Sequence, residues 1–479
     1  MATFLTYNNV TLFSLRASLF VFKHHFSYLL SPDMLDNLDS LGYQQMTPIQ
    51  EASLPVILKG RDLIAQAKTG SGKTVAFGVG LLSRLEPQNY HVQALILCPT
   101  RELAEQVSKE LRRLARFIPN IKLLSLCGGT PIRPQYESLQ RNAHIVVGTP
   151  GRIQAHLDKG TLNPDHVNTL VLDEADRMLD MGFYDAIIKI VKTTPASRQT
   201  LLFSATYPDA IKTMSAVIQN DPESVKVEVT HRDNPIEEWF VETSPLQRSK
   251  SLITLLTHYR PESTLIFCNT KIQCQEVAQA LEQEGFYALV LNGDLEQKDR
   301  DRVLLLFTNK SCPLLIATDV AARGLDIKDL QAVINYEIAF DPEIYIHRIG
   351  RTGRAGQHGL ALSLYTPAEA NRVNAIEDYQ QHPVAHLDSK NLKPVPNTQL
   401  LAPMITLCID GGRKNKIRPG DILGALTGTA GIDSKLIGKI DISDSHAYVA
   451  IARDTADKAA RQLADGTIKG RKFRVWKVR

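Results

Sequence analysis

The feature that most constrains this chain is a twice-repeated alternation of short apolar runs with amphipathic segments. ALILCPT, HIVVGTP, TLVLDEAD and TLLFSAT are apolar over strand length and end in small or polar residues. Such runs read as parallel strands covered on both faces. The stretches between them, such as RELAEQVSKELRRLARF, have helical spacing. A second series, TLIFCNT, ALVLNGD, LLIATDV and AVINYE, alternates with helices such as IQCQEVAQALEQEG. Two α/β sheets in tandem are therefore predicted, breaking near the charged stretch EVTHRDNPIEE.

A third unit follows YQQHPVAHLDSKNLKPVPNTQ, whose prolines and polar residues read as a linker. MITLCID, LIGKIDIS, HAYVAIA and KFRVWKV are strand-like, with helical stretches near RPGDILGALTG and TADKAARQLADG. That order is βαββαβ, the split plan used by RNA-recognition modules. The expected divisions are an extension over 1–25, expected to be disordered, a first lobe over 26–225 and a second over 226–378. A linker over 379–401 and a small α+β domain over 402–479 complete the chain.

Charge sets the last part aside. Residues 401–479 hold fifteen Lys and Arg against eight Asp and no Glu, a net of +7. The whole chain is +4, so residues 1–400 carry −3. A cationic module on a slightly acidic body suits a polyanion. The six cysteines, Cys98, Cys127, Cys268, Cys274, Cys312 and Cys408, are scattered through apolar runs without a CxxC pair. They read as buried thiols, and the chain as a cytoplasmic protein. No apolar run reaches the ~20 residues of a membrane span. ASLFVF in the acid-free first 32 residues is too short for a secretory h-region.

Two motifs carry chemistry directly. AKTGSGKT (67–74) follows the strand-like DLIAQA and opens the helical TVAFGVGLL, the context a phosphate loop requires. Gly70 and Gly72 let amides close on phosphate, Lys73 brings a point charge, and Thr74 offers a hydroxyl to Mg2+. Ala67 stands where the usual pattern has glycine. VLDEAD (171–176) sets Asp173 and Glu174 at the end of a buried strand, suiting a metal ligand and a water-orienting base.

With these in place the chain closely resembles the DEAD-box RNA helicase family over about residues 26–370. GYQQMTPIQ (42–50) is similar to the adenine-reading motif, with Gln50 as base contact and Phe26 or Tyr28 as the upstream aromatic. The resemblance implies two RecA-like lobes and an ATP site of Tyr43, Gln50, Ala67, Lys68, Thr69, Gly70, Ser71, Gly72, Lys73 and Thr74, joined by Gly324 and Asp326. Thr74 and Asp173 would hold Mg2+, and Arg351 and Arg354 of HRIGRTGRAG would serve as arginine fingers on closure. Asp176, Ser204, Thr206 and His347 would couple hydrolysis to RNA remodelling. PTRELA, Gly128-Gly129, TPGR, NGDLEQKDR and ATDVAARGLD resemble RNA-backbone motifs. They implicate Arg101, Gly129, Thr149, Arg152, Arg300, Thr318 and Asp319.

The stretch CIDGGRKNKIRPGDILGAL resembles the RNA-binding domain of the family's DbpA subgroup. That resemblance implies an ATP-dependent helicase acting on a large-subunit ribosomal RNA hairpin near the peptidyl-transferase centre, on pre-50S particles, as a monomer without a membrane partner. Arg413, Lys414, Lys416 and Arg418, with Lys469, Arg471, Lys472 and Arg474, form the expected RNA surface. HAYVAIA lacks the aromatic string of a general RNA-recognition module, and Tyr448 reads equally as a stacking residue or a half-buried strand residue. Rival readings are messenger-RNA turnover or cold adaptation by the same chemistry, and an ATP-gated RNA clamp.

Overall fold

The computed structural model describes residues 30–67, 70–227, 236–322, 330–353, 358–388, 392, 400–428 and 431–478. The expectations for residues 1–25, Phe26, Tyr28, Lys68, Thr69, Gly324, Asp326 and Arg354 lie outside these.

The first lobe is a seven-stranded sheet in the order β3-β4-β2-β5-β6-β1-β7. Its strands are β1 (Leu63–Gln66), β2 (Ala94–Leu97), β3 (Leu123–Leu126), β4 (Ile145–Gly148), β5 (Thr169–Asp173), β6 (Gln199–Ser204) and β7 (Glu223–Lys226). All neighbours pair in parallel. The central strands β2, β4, β5 and β6 are buried at every position, as their uninterrupted apolar runs require. Helices cover both faces. Arg101–Leu114 buries Leu103, Ala104, Val107, Leu111 and Leu114, an i, i+3/i+4 stripe, and Thr100 caps it by accepting from Leu103 N. Helix Lys73–Ser83 packs so closely that a Cβ on Gly80 would lie 2.1 Å from Ile57 Cγ2.

The second lobe is a six-stranded sheet in the order β10-β11-β9-β12-β13-β8. Its strands are β8 (Ile236–Glu242), β9 (Thr264–Cys268), β10 (Ala288–Leu291), β11 (Leu314–Thr318), β12 (Ala332–Asn335) and β13 (Gly359–Tyr365). These neighbours also pair in parallel. The boundaries shift slightly from those expected. Strand β7 runs to Lys226, one residue past 225, and helix Ala370–Gln380 ends two residues past 378.

The stretch 379–401 is not a plain linker. Phe240 N donates to Ala385 O and Leu387 N to Phe240 O, so residues 385–387 extend the sheet beside β8. Val384 and Leu392 are buried in the second lobe's cores. An unpaired edge of β8 recruits the nearest segment with free amides and a few apolar side chains.

The third domain is an antiparallel sheet in the order β15-β16-β14-β17, from β14 (Met404–Ile409), β15 (Ile437–Ile442), β16 (Ala447–Ala452) and β17 (Val475–Lys477). Leu407, Ile409, Val449 and Ile451 face a core completed by Ile422, Leu426, Ala459 and Leu463 of helices Pro419–Thr427 and Ala456–Asp465. The last strand is shorter than KFRVWKV suggests. A Cβ on Gly411 would lie 2.5 Å from the Phe473 ring, so residues before Val475 close a loop instead. All six cysteines are free and buried.

Candidate nucleotide and RNA sites

The phosphate-loop segment lies between β1 and helix Lys73–Ser83, whose N-terminus it therefore precedes. Gly72 caps that helix at φ 95°, and a Cβ there would lie 2.4 Å from Gln50 Nε2, so only glycine fits. Gln50 is itself buried. Its Nε2 donates to Gly72 O at 3.1 Å and its Oε1 accepts from Thr47 N at 3.0 Å, clamping the loop to the 42–50 motif. Tyr43 donates its hydroxyl to Glu110, and its pKa is pushed up to about 12 by burial and by that carboxylate. Lys73 is buried, with Nζ donating to Ala67 O at 3.0 Å.

Asp173 ends β5, wholly buried, and its Oδ1 has no hydrogen-bond partner. Burial pushes its carboxyl up to about 6, against the pull of Lys73, and Glu174 adds to the rise. An orphaned carboxylate oxygen beside a buried ammonium fits a bound cation. Glu174 follows at φ 53°, a left-handed conformation that a non-glycine residue holds at a cost of order 1–3 kcal/mol. The strain turns the chain sharply from strand to helix.

Asp176, Ser204 and Thr206 of this lobe are hydrogen-bonded to one another. Asp176 Oδ2 accepts from Thr206 N and Oγ1, both at 3.2 Å, and Asp176 N donates to Ser204 Oγ at 3.3 Å. The DEAD and SAT segments are thus one hydrogen-bonded unit. His347 lies half-buried on helix Pro342–Ile349 of the second lobe, and Arg351 follows that helix.

The RNA-backbone candidates of the first lobe converge on a residue the sequence did not flag. Gln135 Nε2 donates to Cys127 O and Thr130 Oγ1, fixing its amide orientation. Its Oε1 accepts from Arg152 Nη1 at 2.9 Å and faces His156 Nε2 at 3.1 Å. The glycine loop, with Gly129 at φ 74°, is thereby tied to Arg152. Because Gln135 Oε1 accepts, we assign the proton of neutral His156 to Nε2; Nδ1 lies 2.8 Å from Thr161 Oγ1, and the Thr161 hydroxyl also reaches His156 O at 3.0 Å. Burial lowers the His156 pKa, as do Arg152 and Lys159. Arg101 pairs with Glu105 at 3.1 Å, and Thr149 caps helix Pro150–Asp158.

In the second lobe the unflagged hub is Arg348. Its five N–H groups are all engaged, by Asp319 Oδ1 and Oδ2 at 2.7 Å, Asn335 Oδ1, Glu337 O and Asn269 Oδ1. The guanidinium lies 5.1 Å from the Phe267 ring centre. The ends of β9, β11 and β12 are drawn together on one buried cation. Asp319, partly exposed, thus has both carboxylate oxygens on Arg348. Thr318 is buried at the end of β11, and Arg300 Nη2 donates to Ala321 O at 2.8 Å.

The third domain gathers its two basic segments. Lys469 Nζ donates to Lys416 O at 3.0 Å and pairs with Asp421 at 3.4 Å. Lys416 and Lys469 both turn at positive φ, 61° and 56°. Arg413, Lys414, Lys416, Arg418, Lys469, Arg471 and Lys472 are all exposed.

Comparison with known proteins decides the family. The DEAD/DEAH box helicase profile matches residues 47–214, the helicase conserved C-terminal domain 247–356 and the DbpA RNA binding domain 406–477. The ATP-dependent RNA helicase DbpA of Escherichia coli is 54% identical over 450 residues, covering 93% of this chain and 97% of the relative. The chain belongs to the DbpA-type DEAD-box RNA helicases. CshA of Listeria monocytogenes, also an ATP-dependent RNA helicase, is 45% identical over 73% of this chain and 67% of its own. Yeast Dbp5 bound to RNA and ADP BeF3 matches with a TM-score of 0.69 at 31% identity, covering 76% of this chain and 96% of that one. This DEAD-box enzyme thus joins two RecA-like lobes to a small RNA-binding domain. Among the described residues, no helix is long and apolar enough to cross a membrane.

Proposed function

We propose that this helicase remodels large-subunit (23S) ribosomal RNA during 50S assembly, acting as a cytoplasmic monomer recruited to a hairpin near the peptidyl-transferase centre on pre-50S particles. The observation that carries this is the joining of the third domain's two basic loops through Lys469 and Lys416, beside a complete hydrolytic motif set. Backbone contacts by Arg101, Gly129, Thr149, Arg152, Arg300 and Thr318 give affinity without sequence choice. Target choice is left to the third domain.

In this reading Gln50 meets the adenine while its Oε1 keeps its own helix cap, and Tyr43 and residues 67–74 line the nucleotide, completed by Gly324 and Asp326. Thr74 and Asp173 hold Mg2+, which neutralises phosphate charge when bound. Lys73 brings its charge to the β- and γ-phosphates, and Glu174, fixed by its strained turn, orients the attacking water. Arg351 and Arg354 reach the transferred phosphoryl group once RNA and ATP are both bound, a device that can supply roughly 10³–10⁵ in rate. Asp176, Ser204, Thr206 and His347 relay that state to the RNA side. The test is ATPase activity of the full chain against a panel of RNAs containing large-subunit fragments. The hairpin fragment should activate at the lowest concentration. Equal activation by all RNAs would leave a general RNA helicase.

A further inference from the structure

Gln135 of the first lobe uses every position of its side-chain amide. Nε2 donates to Cys127 O at 3.1 Å and to Thr130 Oγ1 at 3.0 Å. Oε1 accepts from Arg152 Nη1 at 2.9 Å and from His156 Nε2 at 3.1 Å. An amide has two donors and two lone pairs, so this one is saturated. Its bonds join segments distant in sequence, the glycine loop after β3 and the first two turns of helix Pro150–Asp158.

Arg152 is held from a second side, where its Nη2 donates to Thr130 O at 2.8 Å. Two of its five N–H groups are thus fixed, and the other three have no partner among the described residues. The side chain is only half-buried, so the guanidinium is oriented without being closed off. Behind the amide stands His156, fully buried. Burial lowers its pKa, and Arg152 and Lys159 lower it further, so the ring is neutral at pH 7 and does not repel the guanidinium. In front there is room. A Cβ on Gly128 or on Gly151 would meet no atom within 4 Å, so packing requires neither glycine. Glycines facing open space let another backbone come close.

We propose that Gln135 is a positioning residue for the RNA backbone, acting through Arg152, which it holds ready for a phosphate. An arginine fixed before binding loses less freedom when the phosphate arrives, which raises affinity for RNA. Nothing in this arrangement touches the nucleotide site, so the rate at saturating RNA is left alone. The inference rests on the reading of Arg152 as a backbone contact.

The experiment is ATPase activity of the full chain titrated with a single-stranded oligoadenylate. Gln135→Ala should raise the half-activating RNA concentration about ten-fold, with the rate at saturation and the KM for ATP unchanged. Arg152→Ala should raise it at least as much, and the double variant should match Arg152→Ala alone. Gln135→Glu carries the test should the alanine variant not fold. Its carboxylate offsets the charge of Arg152 and draws a proton onto His156, so its deficit against the parent should shrink as pH falls from 8 to 6. An unchanged half-activating concentration in Gln135→Ala, an additive double variant, or a Gln135→Glu deficit flat in pH would each overturn the positioning role. Arg152→Ala activated like the parent would instead remove Arg152 from the RNA site, and overturn the reading beneath the inference along with it.

Discussion

The phosphate-loop site and the basic face of the third domain, both proposed to meet phosphate, are built in opposite ways. The first is buried and held under strain, with Lys73, Asp173 and Glu174 almost inaccessible, Glu174 at positive φ and one carboxylate oxygen unpaired. The second is exposed, and its cations stand on loops secured by backbone carbonyls. A buried site concentrates each charge in a low dielectric, where single atoms decide the outcome. An exposed one spreads its attraction over many cations, each screened by salt. Substitutions should therefore act all-or-none in the first and by degrees in the second.

The largest effect is expected at the buried site. Lys73→Ala should abolish ATP hydrolysis, while Glu174→Gln should retain ATP binding and stall turnover, both read by single-turnover phosphate release. Wild-type turnover in Glu174→Gln would remove the assignment of the water-orienting residue and with it half of the contrast. Next is Arg348→Ala, which strands Asp319 and three strand-end acceptors. Losing one partner of a buried pair costs about 3–5 kcal/mol, so thermal unfolding should show a clear drop in melting temperature. A variant as stable as the parent would mean that the strand ends do not depend on this cation.

On the exposed face, replacing Lys414, Lys416 and Arg418 together with Ala should weaken hairpin binding and flatten its salt dependence by about one slope unit per lost phosphate contact. A collapse of binding from any one of the three would erase the distinction between the two regions. The smallest effect concerns His156. Its folded pKa is held below the ordinary 6.5, so the unfolded chain takes the proton more readily. The stability it contributes is complete above that value and is lost as pH falls through 6.5. Melting temperature against pH should decline less steeply for His156→Asn than for the parent.

The sequence announces what is local and leaves unsaid what is convergent. Buried strands and the glycine loop could be read because each is one contiguous pattern, and the pairing of Asp176 with Ser204 and Thr206 followed from family order. Arg348 could not, since its partners Asn269 and Asp319 lie 79 and 29 residues away and only the fold brings them to one guanidinium. Gln135 escaped for the same reason, being a lone amide on an unremarkable helix. The docking of residues 384–387 on β8 was hidden because isolated apolar residues among prolines carry no period.

The central claim is a division of labour in which the lobes supply chemistry and the third domain supplies choice. It is tested most directly by ATPase activity titrated with the ribosomal hairpin and with an unrelated duplex, for the full chain and for residues 1–400. The account predicts that the full chain prefers the hairpin and that the shortened chain responds to both RNAs alike, with comparable activity at saturation. A shortened chain that still prefers the hairpin would place the choice in the lobes and contradict it.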